Sequence, residues 1–471
     1  MPKSGRNRSS DRTASPRQSQ EFPSSLCRLP CRRQRKEPRV LPARSASTSV
    51  TSKMINSNKK LFPAGDRNQK ATAPSALPTS GVILPVVLTL LVQSLVSMSV
   101  VAIPVFMPVA AGELNVPPSY VGIFMSLIYL GATVFAPVSG YFIDRFGPVC
   151  VSQMCLVLCA LGLGAISIPA IPMMIIGALI IGIGYGPVTP ASSHLLVRTT
   201  PFSMMSVVFS IKQTGVPIGG AMAGAIVPHL VILFGWKMSA LVVGALSLLL
   251  SIFLHPYRKR FDTERSNRSR LSWKNAIESV KMTVVHQELR HIVIASFFFS
   301  TMQLCLVSFI VTYLMEDVKM TLIQAGMLLA TTQAGGIIGR IVWGALADRC
   351  VKPRRMLGIL GVAMAAGALT SAAFSLQWPF IAVLIVCALY GAAAIGWNGV
   401  YLAEVARVAT SEFAGMATGG ALFFTFAGIL IGLPAFSLIV EKSGSYPLGF
   451  GIIAIATFVC GIVLLFPHNS R

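Results

Sequence analysis

Gly140-Tyr141-Phe142-Ile143-Asp144-Arg145 closes one long apolar run, and Gly344-Ala345-Leu346-Ala347-Asp348-Arg349 closes another, 204 residues later. A single Gly-x-x-x-Asp-Arg match carries little weight. Two copies at equivalent points of two hydropathy blocks indicate a duplicated chain. Apolar stretches of more than about 18 residues follow one another from Val82 to Phe466, each long enough to cross a hydrocarbon layer. Composition agrees, with 54% of residues hydrophobic and 12% charged, where a soluble domain carries about 25% charged. The chain reads as an all-α membrane protein with twelve transmembrane helices in two pseudo-symmetric six-helix bundles.

The first six spans are expected near 82–108, 118–143, 148–168, 171–195, 204–233 and 237–255. The second six follow near 291–315, 322–347, 356–376, 378–404, 414–439 and 446–466. The duplication extends beyond the Asp-Arg pair. Gln93 and Gln303 are 210 residues apart, Gly182–Arg198 matches Gly391–Arg407 at 209, and Gly215 and Gly219 match Gly428 and Gly432 at 213. Four domains follow: a basic tail over 1–81, a bundle over 82–255, a linker over 256–290 and a second bundle over 291–471.

Loops after the odd-numbered spans carry only Lys319 and Lys442, with Lys237 at the edge of the sixth span. Loops after the even-numbered spans carry Arg145, Arg198, Arg349, Lys352, Arg354, Arg355, Arg407 and the basic linker. The positive-inside rule then places both termini in the cytoplasm, in a plasma or inner membrane, with an organelle kept open by the tail. The formal charge of +23 divides into +13 over residues 1–81 (17 basic, 4 acidic) and +10 over the remainder. Charge topology accounts for the second part without nucleic acid.

The tail has no hydrophobic period and is expected to be disordered. It reads as a lipid-attracted basic segment, an organelle transit peptide, or a start placed upstream of a true first residue at Met54. In the linker, Trp273, Ile277, Val280 and Val284 recur at helical spacing between Lys274, Glu278 and Lys281, as in an amphipathic helix lying along the membrane surface. Cys27 and Cys31 lack further ligands nearby, and no metal or other cofactor is expected.

On its repeated loop motif and long middle loop, the chain resembles the major facilitator superfamily over Val82 to Phe466. The resemblance implies a pseudo-symmetric bundle with one central cavity, moving by rocker-switch alternating access, and a monomer by default. It also implies that the motif acid meets a helix N-terminus across the two halves, a favourable carboxylate–dipole contact. Gly140, Asp144, Arg145, Gly344, Asp348 and Arg349 then form a conformational latch, the glycines allowing close backbone approach. Arg340, two turns before the helix end, is read as part of it. The sequence departs from the family pattern after Gly147, where Pro148, Val149 and Cys150 replace basic residues. The second copy lacks a glycine after Arg349 but keeps Lys352, Arg354 and Arg355.

Lys212 is the sharpest candidate for function. It stands in Ser210-Ile211-Lys212-Gln213-Thr214-Gly215-Val216-Pro217-Ile218-Gly219-Gly220, about ten residues into the fifth span and so roughly 15 Å deep. A mid-membrane lysine costs about 2.5–3.5 kcal/mol on insertion scales, so it faces a cavity or a partner. The alternative is a side chain that snorkels to the surface. Facing a cavity, the ammonium would select anions, with Gln213 beside it. Gln93, Tyr185, Gln303, Gln333, Trp397 and Asn398 would line that cavity as a set, although each singly is more often a helix–helix contact. Glu404 reads either as a proton-coupling carboxylate or as an i,i+3 ion pair with Arg407.

These features point to a secondary active transporter of a small organic or inorganic anion, driven by a proton or exchange gradient. Its partners would be the solute, protons and the lipid bilayer. A drug or cation exporter is the alternative in the same class, opposed by the shortage of mid-membrane acids. A receptor that binds without turnover is a third reading. No G-x-x-x-x-G-K-[ST] run provides for ATP, and no Ser/His/Asp set or paired carboxylates suggest an enzyme.

Overall fold

Apolar runs of this length must pair every backbone N–H and C=O, and in lipid a helix does so within its own segment. The structure is a computed structural model that describes residues 80–201, 204–263, 280–281, 283–409 and 414–466. The tail, with Cys27 and Cys31, and most of the linker, including Trp273, Lys274, Ile277 and Glu278, lie outside the described residues. Among the described residues, eleven helical stretches are long and apolar enough to cross a membrane. The longest, Val207–Phe261, runs 55 residues. It breaks at Gly235, where φ is 79° and ψ is 165°, a conformation suited to glycine. That stretch therefore holds two passages, and with it the expected twelve are present.

Several spans are discontinuous. The second is built from Val121–Phe135 and Ser139–Phe146, and the fourth from Ile171–Tyr185 and Val188–Thr199. The fifth begins as Met205–Gln213 and resumes at Gly215. The tenth divides at Trp397 into Phe380–Gly396 and Asn398–Val408. The breaks in the fourth and tenth spans fall at equivalent points of the two halves.

Glycine seams hold each half together, and they repeat. A Cβ at Gly219 would lie 2.0 Å from the Ser94 carbonyl oxygen, and one at Gly428 would lie 2.2 Å from that of Phe297. The fifth span thus packs backbone to backbone on the first, and the eleventh on the seventh. Gly182 approaches the Ile128 carbonyl and Gly391 that of Thr332 equally closely, 2.1 and 1.9 Å from an added Cβ. Those contacts join fourth to second and tenth to eighth. Without a hydrophobic drive between helices in lipid, such close packing supplies the attraction. Large apolar side chains such as Leu233, Ile252 and Leu389 face outward, 68–70% exposed, as lipid-facing surface requires.

A carboxylate also ties the first helix of each half to its sixth. Glu113 accepts from Trp236 Nε1 at 2.7 Å and pairs with Lys237. Glu316 accepts from the Tyr446 hydroxyl at 2.9 Å. Between the halves, Ser437 Oγ donates to the Ser119 carbonyl at 2.7 Å. Further inward, Gly224 meets the Gly326 carbonyl and Gly220 lies against the Gln333 amide. The interhalf seam therefore runs from the end remote from the basic loops towards the middle of the bundle.

Candidate functional site

A cavity lies where the halves meet. Its wall includes Ser97, Tyr129, Tyr185 and Val216 from the first half and Gln303 and Gln333 from the second. Its volume is ≈ 30 Å³, room for a water or two but not for an organic acid. A solute must part the halves to enter.

The polar groups on this wall are fixed but unspent. Gln303 Oε1 accepts from Trp397 Nε1 at 2.9 Å and from Asn398 Nδ2 at 3.1 Å. Two donors on the oxygen set the amide orientation and leave its N–H groups uncommitted. Ser97 Oγ is buried without a hydrogen-bond partner. Tyr185 stands edge-on to Tyr129, ring centroids 5.7 Å apart. Tyr185 is expected here from the sequence, whereas Ser97 and Tyr129 are not. Tyr129 carries a signal nonetheless, as an aromatic with a polar tip amid an apolar run.

Several expected wall residues sit elsewhere. Trp397 is fully buried, edge-on to Phe299 and tilted against Tyr401. It and Asn398 support Gln303 from behind. Gln93 is 1% exposed, accepting from Thr189 Oγ1 at 3.3 Å beside Gly215.

Lys212 lies one turn from Val216, on the basic-loop side of the cavity. The side chain is 1% exposed and its Nζ has no hydrogen-bond partner. Arg340, in the eighth span, lies within electrostatic reach of both Lys212 and the Tyr185 hydroxyl. Its Nη1 donates to the Gln213 carbonyl at 2.6 Å, and its Nε to the Ile395 carbonyl at 3.2 Å. The Gln213 carbonyl is available because the residue four places on is Pro217, which has no backbone N–H to donate to it. Arg340 thus reaches across from one half to the other, and Gln213 contributes its backbone rather than its amide. No described Asp or Glu forms an ion pair or hydrogen bond with either cation.

Glu404 is fully buried and gives both oxygens to Arg407, at 2.6 and 2.7 Å. The pair holds Arg407 above its ordinary pKa, through that hydrogen bond first.

Of the residues expected to form the latch, Arg340 bridges the halves through the Gln213 carbonyl, and the motif residues themselves show no cross-half hydrogen bond among the described residues. A Cβ added at Gly140 or Gly344 would meet nothing within 4 Å, so neither glycine serves a close approach. Arg145 donates to the Tyr141 hydroxyl at 2.8 Å within its own helix. Asp144 is half-buried and Asp348 and Arg349 are both at the exposed end of their helix, while residues 202–203 and 410–413, at the starts of the fifth and eleventh spans, lie outside the described residues. The helix Ser139–Phe146 packs instead on the third and fourth spans. The carboxylate that does cap a helix is Asp262, which accepts from Val149 N at 2.9 Å and Cys150 N at 3.0 Å. Gly147 makes room for it, with φ of 92° and a Cβ position already filled by the Asp262 carboxyl. Separated from its partners by more than a hundred residues, this contact leaves no mark in the sequence.

The family model described as Major Facilitator Superfamily matches residues 89–420 and 292–471. A hexuronate transporter of Bacillus subtilis is 23% identical over 178 residues, 37% of this chain and 42% of that protein. The match thus spans less than half of that relative's length. A benzoate transport protein of Acinetobacter baylyi is 25% identical over 78% of this chain and 85% of its own. Among solved structures, a point mutant of the nucleoside transporter NupG superposes with a TM-score of 0.66 at 17% identity, covering 80% of this chain and 99% of that one. At that identity the likeness shows the fold alone.

Proposed function

The chain belongs to the major facilitator superfamily, and from that premise we propose that it is a secondary active transporter of small organic anions bearing a carboxylate. One observation carries this reading. Lys212 is buried with its ammonium unpartnered, and the charge acting on it is another cation, Arg340. Like charges in a low-dielectric interior repel strongly, and a buried cation is retained there when it serves a site. An anion between them would satisfy both. The hexuronate and benzoate in the names of the two relatives are both carboxylates, which supports the assignment.

The uncommitted donors of Ser97 and Gln303, with Gln333, would bind the remainder of the solute, and the Tyr129–Tyr185 pair would form its aromatic wall. Residues 82–255 and 291–471 are the two bodies that rock, joined by 256–290. With the basic loops cytoplasmic, the seam from Ser119–Ser437 to Gly220–Gln333 is the closed outer side. The side that carries the motif loops is then the one that opens inward. An incoming anion would meet Lys212 and Arg340 before the cavity. Arg340 is then a substrate ligand as well as a cross-half contact, and Glu404 a structural partner of Arg407.

The test is uptake of labelled benzoate and a labelled hexuronate into proteoliposomes, with and without an imposed pH gradient. Lys212→Ala should lower flux about tenfold or more, the loss of a charge-assisted hydrogen bond, while Lys212→Arg keeps part of it. Equal flux in wild type and Lys212→Ala would refute the assignment.

A further inference from the structure

Beyond the sixth span the chain continues through His255–Tyr257 and Arg258–Phe261. Lys259 and Arg260 are exposed. The acid that follows, Asp262, is turned inward and 4% exposed. It accepts the Val149 and Cys150 N–H groups, while Arg258 Nε stands 3.7 Å from its Oδ2. The local acid is thus held chiefly by the first turn of the third span, with Arg258 half-buried at ion-pair distance from it and Lys259 and Arg260 facing outward.

Alongside this run lies a groove of ≈ 370 Å³ on the outer face of the bundle, between the third span and the end of the sixth. Met154, Val157 and Leu158 give it an apolar wall, and His255 and Arg258 stand at its basic end. From Cys150 to Leu158 that wall runs about 12 Å along the helix axis. The groove is therefore amphipathic along the membrane normal: cationic where headgroups lie and apolar where acyl chains lie.

We infer that this groove seats an anionic phospholipid, its phosphate at Arg258 and His255 and its acyl chain along Met154, Val157 and Leu158. Basic pockets at the cytoplasmic surface select such headgroups from the leaflet. A free phosphate would have no use for the apolar wall. The site is separate from the cavity and from whatever solute crosses it.

The experiment is native mass spectrometry of the full chain in detergent, titrated with phosphatidylglycerol, phosphatidylcholine or glycerol 3-phosphate. Phosphatidylglycerol should be retained in preference to phosphatidylcholine. Arg258→Gln should weaken its retention about fivefold, one basic residue's attraction to an anionic headgroup. Met154→Trp, which fills the groove and leaves the charges intact, should weaken it as well. Equal retention of the two lipids would overturn the inference, as would unchanged retention in both variants. Displacement of phosphatidylglycerol by glycerol 3-phosphate would overturn the lipid assignment in favour of a site for small anions.

Discussion

At the scale of single residues, the membrane makes charge placement unusually informative. Lys212 stands out in the sequence because a cation so far from the interface needs a reason. Arg340 has the same depth argument in weaker form, and its nearness to Asp348 in sequence suggests the wrong partner. In the structure it reaches the Gln213 carbonyl instead. Glu404 and Arg407 are legible as a pair, because i,i+3 spacing puts both on one face. Their burial is not legible, and it makes the pair asymmetric. Glu404 is fully buried while the Arg407 side chain is 58% exposed. Arg407→Ala strands a buried carboxylate and should cost about 3–5 kcal/mol. Glu404→Gln leaves an arginine that water can solvate, and should cost far less. Thermal unfolding of the two purified variants reads the difference. Equal losses would show that Glu404 is better solvated than its burial indicates.

At the scale of elements, the repeated glycines of the fifth and eleventh spans are visible as an offset, and the structure gives them their purpose. Each pair lets one helix lie against the backbone of another. The motif glycines Gly140 and Gly344 invite the same reading and do no such thing. A spacing reports that two positions correspond; it does not report what they face, because successive residues of a helix turn about 100° around its axis. The same rotation explains why Trp397 and Asn398 stand behind Gln303 rather than beside it. Overpacking a tight seam costs roughly 1–3 kcal/mol, and at Gly219 the obstacle is backbone, which cannot swing aside. Gly219→Leu should therefore lower folded yield and melting temperature, while Gly140→Ala should change stability by no more than about 0.5 kcal/mol. Size-exclusion profiles and melting curves of the two variants check this. A tolerated Gly219→Leu would mean that the first and fifth spans can separate at little cost.

At the scale of the whole molecule, the twelve spans, the two halves and the family are legible because lipid imposes one-dimensional rules. Run length, loop charge and repeat offset are all written along the chain. The relation of the halves is not, since it depends on contacts between segments hundreds of residues apart. Ser119 with Ser437, Gly220 with Gln333 and Arg340 with Gln213 join the halves on one side and at the centre. A bundle with a buried lysine and a half-buried arginine beside a small cavity should recognise negative charge on its solute above all else. The most direct measurement is counterflow in proteoliposomes, comparing benzoate with benzamide, which match in shape and differ in charge. Benzoate should exchange and benzamide should not, and Lys212→Ala should abolish the preference. Equal exchange of both by the wild type, or a preference that survives Lys212→Ala, would contradict recognition by charge.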